Sequence, residues 1–309
     1  MPNNKVVLTT DYYNTDFWNA LKGKPHNEKS LLFGKEKANG TYFFPEKDEK
    51  MLLEALCEHN PLRQICTVVA GCDGDYTLFA YKHHSKAKWV KPADGIDPED
   101  ITGKLKRHIL HSHRLSAILQ FDRDFMEETK GFQKLLTTSI AKTLAKGEIE
   151  GFLYGKNDLE PTGLLHPDKG AKPSVKTKEI NAKALMELFL SVPDDYRKNA
   201  RWVFSDKTAL VVRMLKDDSG RYLWNEADGL LLGKPVTIIN EMPQIQEGNT
   251  PILFGDFSSY WIVPRRTPTI RPLTELYALE NRIAYLCMEY LEAVLIHPEA
   301  ICTMQMTSI

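Results

Sequence analysis

The chain has 309 residues, with 40 Lys and Arg against 41 Asp and Glu, nine His, five Cys and 42% hydrophobic content. That apolar content beside a formal net charge of −1 excludes general disorder. It also counts against a dedicated polyanion binder, which needs several Lys or Arg facing phosphates. The cysteines (Cys57, Cys66, Cys72, Cys287, Cys302) have no close pair and read as reduced thiols of a cytosolic protein. No apolar run is long enough to span a membrane, and MPNNKVVLTTDYYNTD lacks the apolar core of a signal peptide.

Residues 1–46 are polar with scattered anchors such as Phe17, Trp18 and Leu21, and read as an arm that orders by lying on something else. In EKDEKMLLEALCE the spacing of Met51, Leu52, Ala55 and Leu56 predicts a short amphipathic helix, stopped at Asn60-Pro61. QICTVVAG and DYTLFAYK are β-rich and are expected to pair across a Cys72-Asp73-Gly74 turn. KHHSKAKWVK then holds four Lys and no acid, and ADGIDPED four acids and no Lys. With strand character returning at KLKRHILHSHRLSAILQF, this whole stretch reads as a two-stranded ribbon with a charged tip, which needs a neighbour to lie upon. Asp124 with Glu127 fits a capping box opening a long helix, and Phe132 to Leu153 would extend roughly 33 Å at 1.5 Å per residue.

After a turn-rich GKNDLEPTGLLHPDKGAKP, EINAKALMELFLSVP reads as a helix, ARWVFS as a strand and DKTALVVRMLK as a short helix. GLLLGKPVTIINEMP reads as one buried strand, PILFGDFSSYWIVPRR as a strand pair, and LENRIAYLCMEYLEAVLI as a final long element. Helices and strands mix without strict alternation, which favours an α+β fold.

Chemistry is weakly signalled. His108, His111 and His113 have metal-ligand residue types, and His111 and His113 would share a face on a strand, but no further ligand is identified. Gly229-Leu-Leu-Leu-Gly233-Lys234-Pro235 lacks the spacing and hydroxyl of a phosphate loop, and Gly233 reads as a tight turn before Pro235–Ile239. Lys216–Tyr222 reads as a surface turn, since its acids lack the alternate spacing of a calcium loop. Nothing local suggests a catalytic triad, and the expectation is a non-enzyme with no cofactor.

Taken jointly, FWNALKGK, GTYFFPEKDEKMLLEAL, LQFDRDFMEE, FLYGKNDLEPTGLL, WVFSDKTALVVRMLKDDSGRYLW, LLGKPV and PILFGDFSSYWIVPRR resemble, in that order, the major capsid proteins of tailed bacteriophages with the Hong Kong 97-type fold. The resemblance covers nearly the whole chain. It implies an N-terminal arm at 1–46 and an extended β-hairpin loop at 71–107. A peripheral domain would be built from 47–70, 108–155 with its spine helix, and 256–295. An axial domain would lie at 156–255, with a tail at 296–309 returning to it.

The implied function is structural: self-assembly through pentamers and hexamers into an icosahedral shell around double-stranded DNA, bound without sequence specificity. The implied partners are further copies with scaffold and portal proteins, without a membrane, in the virion and, during assembly, the bacterial host cytoplasm. On this reading Lys82, Lys86, Lys88 and Lys91 meet acids on one neighbour, while Asp94, Asp97, Glu99 and Asp100 meet bases on another. Some members of the family cross-link a loop lysine to a neighbour's asparagine with help from a glutamate. Lys91 and Asn281 stand at the first two positions, Met288 at the third, and Glu289 beside it. Many members also carry an N-terminal scaffolding segment; here the chain begins just before FWNALKGK. Two alternatives are an encapsulin-like compartment around cargo enzymes and a metal-dependent enzyme using His108, His111 and His113.

Overall fold

The computed structural model describes residues 7–31, 35–36, 40–69, 76–81, 89, 105–156, 158–217, 219–225 and 228–308. The Cys72-Asp73-Gly74 turn and the charged ribbon tip lie outside them.

The N-terminal stretch opens with α1 (Asp11–Leu21), whose cap Thr10 accepts from the Tyr13 N–H. Tyr13, Phe17, Trp18 and Leu21 are buried, and the Trp18 indole donates to Asp48 at 2.9 Å. This N-terminal stretch is thus anchored on other parts of its own chain. After α2 (Glu28–Leu31), β1 (Lys35–Glu36) and β2 (Thr41–Phe43) comes α3 (Glu46–His59). Asn60 ends α3 and caps α4 (Pro61–Ile65) by accepting from the Leu62 N–H. Proline at the first helical position gives up no needed donor, so the same dipeptide stops one helix and starts the next.

β3 (Thr67–Val68) does not pair with β4 (Tyr76–Tyr81). It runs parallel to Trp261-Ile262, while β4 pairs antiparallel with β5 (Leu105–Leu110). The expected local hairpin does not form: hydrogen bonds from the Val69 N–H to the Ile262 carbonyl and from the Thr67 hydroxyl to the Ser258 carbonyl hold β3 on the edge of the larger sheet instead. β6 (His113–Asp122) follows a two-residue break, then α5 (Arg123–Glu128). Asp122 caps α5, accepting from the Asp124 N–H, so the Asp124 capping box is displaced by two residues. Gly131, at φ 81°, separates α5 from the 23-residue helix α6 (Phe132–Tyr154).

The chain continues through β7 (Lys172–Thr177), α7 (Ala182–Ser191), α8 (Asp194–Arg197), β8 (Arg201–Phe204) and α9 (Asp206–Arg213). β9 (Trp224–Asn225), β10 (Leu230–Leu231) and β11 (Lys234–Ile238) follow. The stretch expected as one strand after Gly229 is a hairpin, with Leu232 and Gly233 in the left-handed region between Leu231 and Lys234. β12 (Ile252–Gly255) and β13 (Tyr260–Leu273) were expected to pair but sit in different sheets. The short helical turn Phe257–Ser259 between them redirects the chain. β14 (Arg282–Leu295) and β15 (Ile301–Met306) complete the fold.

One sheet has the order β1-β2-β13-β14-β6, with β3 also on β13; a second has the order β7-β15-β12-β8-β11-β10-β9; β4 and β5 stand apart. α1, α3 and the first half of α6 pack on the first sheet around Leu136, Ile140, Leu144, Ile283 and Tyr285. α7 and α9 cover one side of the second around Trp202, Phe204 and Phe254. Between them lies a third core, made by the end of α6 (Ile149, Phe152, Leu153), Leu253 of β12 and Leu291 and Leu295 of β14. α6 and β14 therefore run through two cores each. No helix among the described residues is long and apolar enough to cross a membrane.

Candidate functional site

The ribbon of β4 and β5 pairs with no other described strand, so its direction is set where β5 hands over to β6. There Arg265 donates through Nη2 to the Leu110 carbonyl at 3.0 Å. The His111 N–H donates to Glu292 Oε2 at 3.0 Å, and His113 Nε2 lies 3.2 Å from the same oxygen. Glu292 Oε1 accepts from the Ala293 N–H, which fixes the carboxylate. The hydrogen bond to Glu292 holds the His113 imidazole above its ordinary pKa, against the opposing effect of burial.

His111 and His113 do not share a strand, since β5 ends at Leu110 and β6 begins at His113. With His108 they line an open groove of about 800 Å³ beside Asp158 and Glu160. No group of three His, Cys, Asp or Glu among the described residues is arranged to hold a metal ion. Burial pushes the thiols of Cys66, Cys287 and Cys302 up, which makes them poor nucleophiles.

A second polar centre escaped the sequence reading. Arg63 of α4 donates through Nε to Glu148 Oε2 at 2.8 Å, and through Nη2 both to Glu148 Oε1 and, at 2.8 Å, to Glu289 Oε1. Asn60 Nδ2 donates to Glu148 Oε2 at 2.8 Å. All four side chains are buried. One cation faces two carboxylates here. Burial and then the Glu148 charge keep Glu289 well above the usual carboxylate range. The available signal was periodicity: Glu148 lies on the apolar stripe of Ile140, Leu144 and Phe152, where an acid requires a partner.

A third feature is the turn from β13 to β14. Asn281, the cross-link candidate, is exposed there in the left-handed conformation at φ 53°. Its carbonyl accepts from the Arg123 N–H at 3.0 Å. Met288 is nearly buried and Glu289 is committed to Arg63. Seven residues of strand, roughly 23 Å at 3.3 Å each, separate Met288 from Asn281. Neither residue stands as a solvent-facing carboxylate beside that asparagine.

Lys82, Lys86, Lys88, Lys91, Asp94, Asp97, Glu99 and Asp100 lie outside the described residues. Trp89, among those lysines, is described and fully exposed. The Lys216–Tyr222 turn is closed by an Asp217–Arg221 ion pair at 3.1 Å.

The model of the phage capsid family matches residues 40–306. No curated protein matches the chain. Among solved structures it is similar to a chain of the "Capsid of empty GTA particle computed with C5 symmetry". The TM-score is 0.69 and the identity 24%, over 81% of this chain and 90% of that one. It is also similar to a chain of the "Satellite phage P4 procapsid including size determination (Sid) protein", with TM-score 0.58, 12% identity, and 84% and 99% covered. For Gordonia phage Cozz the values are 0.55, 13%, 80% and 86%. These likenesses show the fold, the α+β Hong Kong 97-type capsid fold.

Proposed function

The chain belongs to the phage capsid family, and from that premise we propose that it is the subunit of a tailed-phage or prophage head, assembling through pentamers and hexamers into a closed icosahedral shell around double-stranded DNA. The observation that carries this is the family match over residues 40–306, supported by the likeness to chains of assembled capsids. Self-association does the work; the subunit is structural and transforms no substrate. Residues 1–46 form the arm, 71–107 the extended loop, 156–255 with 296–309 the axial domain, and the remainder the peripheral domain. Scaffold and portal proteins are the other partners, and assembly takes place in the host cytoplasm.

The contacts that set neighbour orientation come from the ribbon. Its basic block (Lys82, Lys86, Lys88, Lys91) meets acids on one neighbour and its acidic block (Asp94, Asp97, Glu99, Asp100) bases on another. Each exposed pair is worth only about 0 to 1 kcal/mol, but a shell repeats it at every contact. Negative-stain microscopy of the chain expressed alone should show closed particles, and shells made during infection should protect DNA from nuclease. Reversing the four lysines to Glu should abolish particles and leave the subunit folded; normal particles would overturn this role. Lys91 and Asn281 are the pair to examine for cross-linking. Subunit ladders from mature shells boiled in detergent would support it, and their absence would reject it.

A further inference from the structure

The break between β5 and β6 joins parts of the chain that lie far apart in sequence. His113 Nε2 lies 3.2 Å from Glu292 Oε2 of β14, and the same oxygen takes the His111 N–H at 3.0 Å. The base of β5 therefore hangs on one carboxylate. On the loop after α6, the backbone of Leu159 and Asp158 also favours the charged ring as a hydrogen-bond acceptor. That loop is fastened at its far end, where the Leu164 and Leu165 N–H groups donate to the Phe152 and Leu153 carbonyls and the Tyr260 hydroxyl to the Thr162 carbonyl. Its near part stands out, with Leu159 84% exposed.

His113 lines two open grooves, of about 700 and 800 Å³, so protons reach the ring from solvent. Charged groups from each neighbouring element line them too. Arg107 and His108 come from β5, His111 from the break and Arg114 from β6. Glu148, committed to Arg63, and Glu150 come from α6. Lys156, Asp158, Glu160, His166, Asp168 and Lys169 follow it, and Arg265 of β13 donates to the Leu110 carbonyl. In this mixed field Glu292 is the acid within hydrogen-bond range of the ring. A neutral imidazole carries one N–H and the imidazolium two, so the protonated ring alone can donate to Glu292 and to the loop backbone at once. We infer that His113 is a proton-dependent latch: protonated, it ties the base of β5, through Glu292, to the 158–160 loop, and neutral, it lets the two move apart. Since its partners favour the charged ring, the latch is closed below the ordinary histidine value of 6.5 and opens as pH climbs through the higher folded value. The device belongs to the folded subunit and does not depend on the capsid reading.

Hydrogen exchange of the full-length chain, corrected for the intrinsic pH dependence of exchange, tests it. Residues 105–112 and 158–163 should lose protection together between about pH 6 and 8. The loss should be about tenfold for each unit by which an NMR titration places His113 above the ordinary value. In His113→Gln, which keeps a donor and never takes the charge, both segments should show the same low protection throughout. His111→Gln, a change at an exposed neighbouring ring, should keep the wild-type profile. Segments that open at separate pH values, or a wild-type profile in His113→Gln, would overturn the latch. Should His113→Gln not fold, the wild type decides alone: the His111 and Leu159 amide shifts must titrate with the His113 ring, and shifts that stay flat overturn it.

Discussion

Glu148 of α6 and Glu289 of β14 share one buried counter-charge, Arg63, at the seam where both elements pass from one core to the next. Above the seam lie Leu144 and Cys287, below it Phe152 and Leu291. Removing the cation leaves the Glu148–Glu289 pair in a dry site without its counter-charge. Arg63→Met is expected to destabilise the subunit by about 3 to 5 kcal/mol, read from urea unfolding.

The same seam gives the stability a pH slope. Glu289 has its pKa raised in the folded state by burial and by Glu148, so between its unfolded value of about 4.3 and its folded value the native state holds the extra proton. Its stabilisation is complete below the unfolded pKa and is lost as pH rises through the folded one. Urea midpoints taken from about pH 5 to 8 should fall, and Glu289→Gln, permanently neutral, should flatten that fall.

His113 adds a second slope of the same sign, with a different location. Its pKa is raised by the bond to Glu292, so the stabilisation is present below about 6.5, the ordinary value, and disappears as pH climbs through the folded value. An NMR titration should place His113 above the ordinary histidine value, and Glu292→Gln should bring it back down. Because the same oxygen holds the His111 N–H, that substitution should also speed hydrogen exchange at His111.

Gly155, the cap of α6, meets the loop that follows it backbone to backbone: the Gly163 N–H donates to its carbonyl at 3.0 Å. A Cβ on Gly155 would stand 1.9 Å from the Pro161 carbonyl oxygen. That atom cannot swing aside like a side chain. Gly155→Ala is expected to cost about 1 to 3 kcal/mol, with a lowered melting temperature as the readout.

The sequence made the long helix, α3 and the short α7 and α9 legible because each carries its own apolar period and its own stop. β5 was legible because strand character returns at KLKRHIL, and it pairs with β4; the charged blocks between them lie outside the described residues. Partner choice among strands was not: β3 has only two paired residues, and what it joins, Trp261-Ile262, is nearly two hundred residues away. Nothing local distinguishes β12 and β13, adjacent in the chain, from a hairpin. The Arg63 site was half legible, since Glu148 breaks an apolar stripe, but Arg63 and Glu289 become its partners only once α4 and β14 are packed.

β7 finds its described strand partner in β15, a parallel pairing that runs from Lys172 opposite Cys302 to Thr177 opposite Met306. Some 125 residues of chain must be organised before that ladder can close, and such distant pairings are slow to form. Until then β7 and β12 present open edges to every other copy in the cell. Closing this one sheet is therefore expected to compete with aggregation while the chain folds.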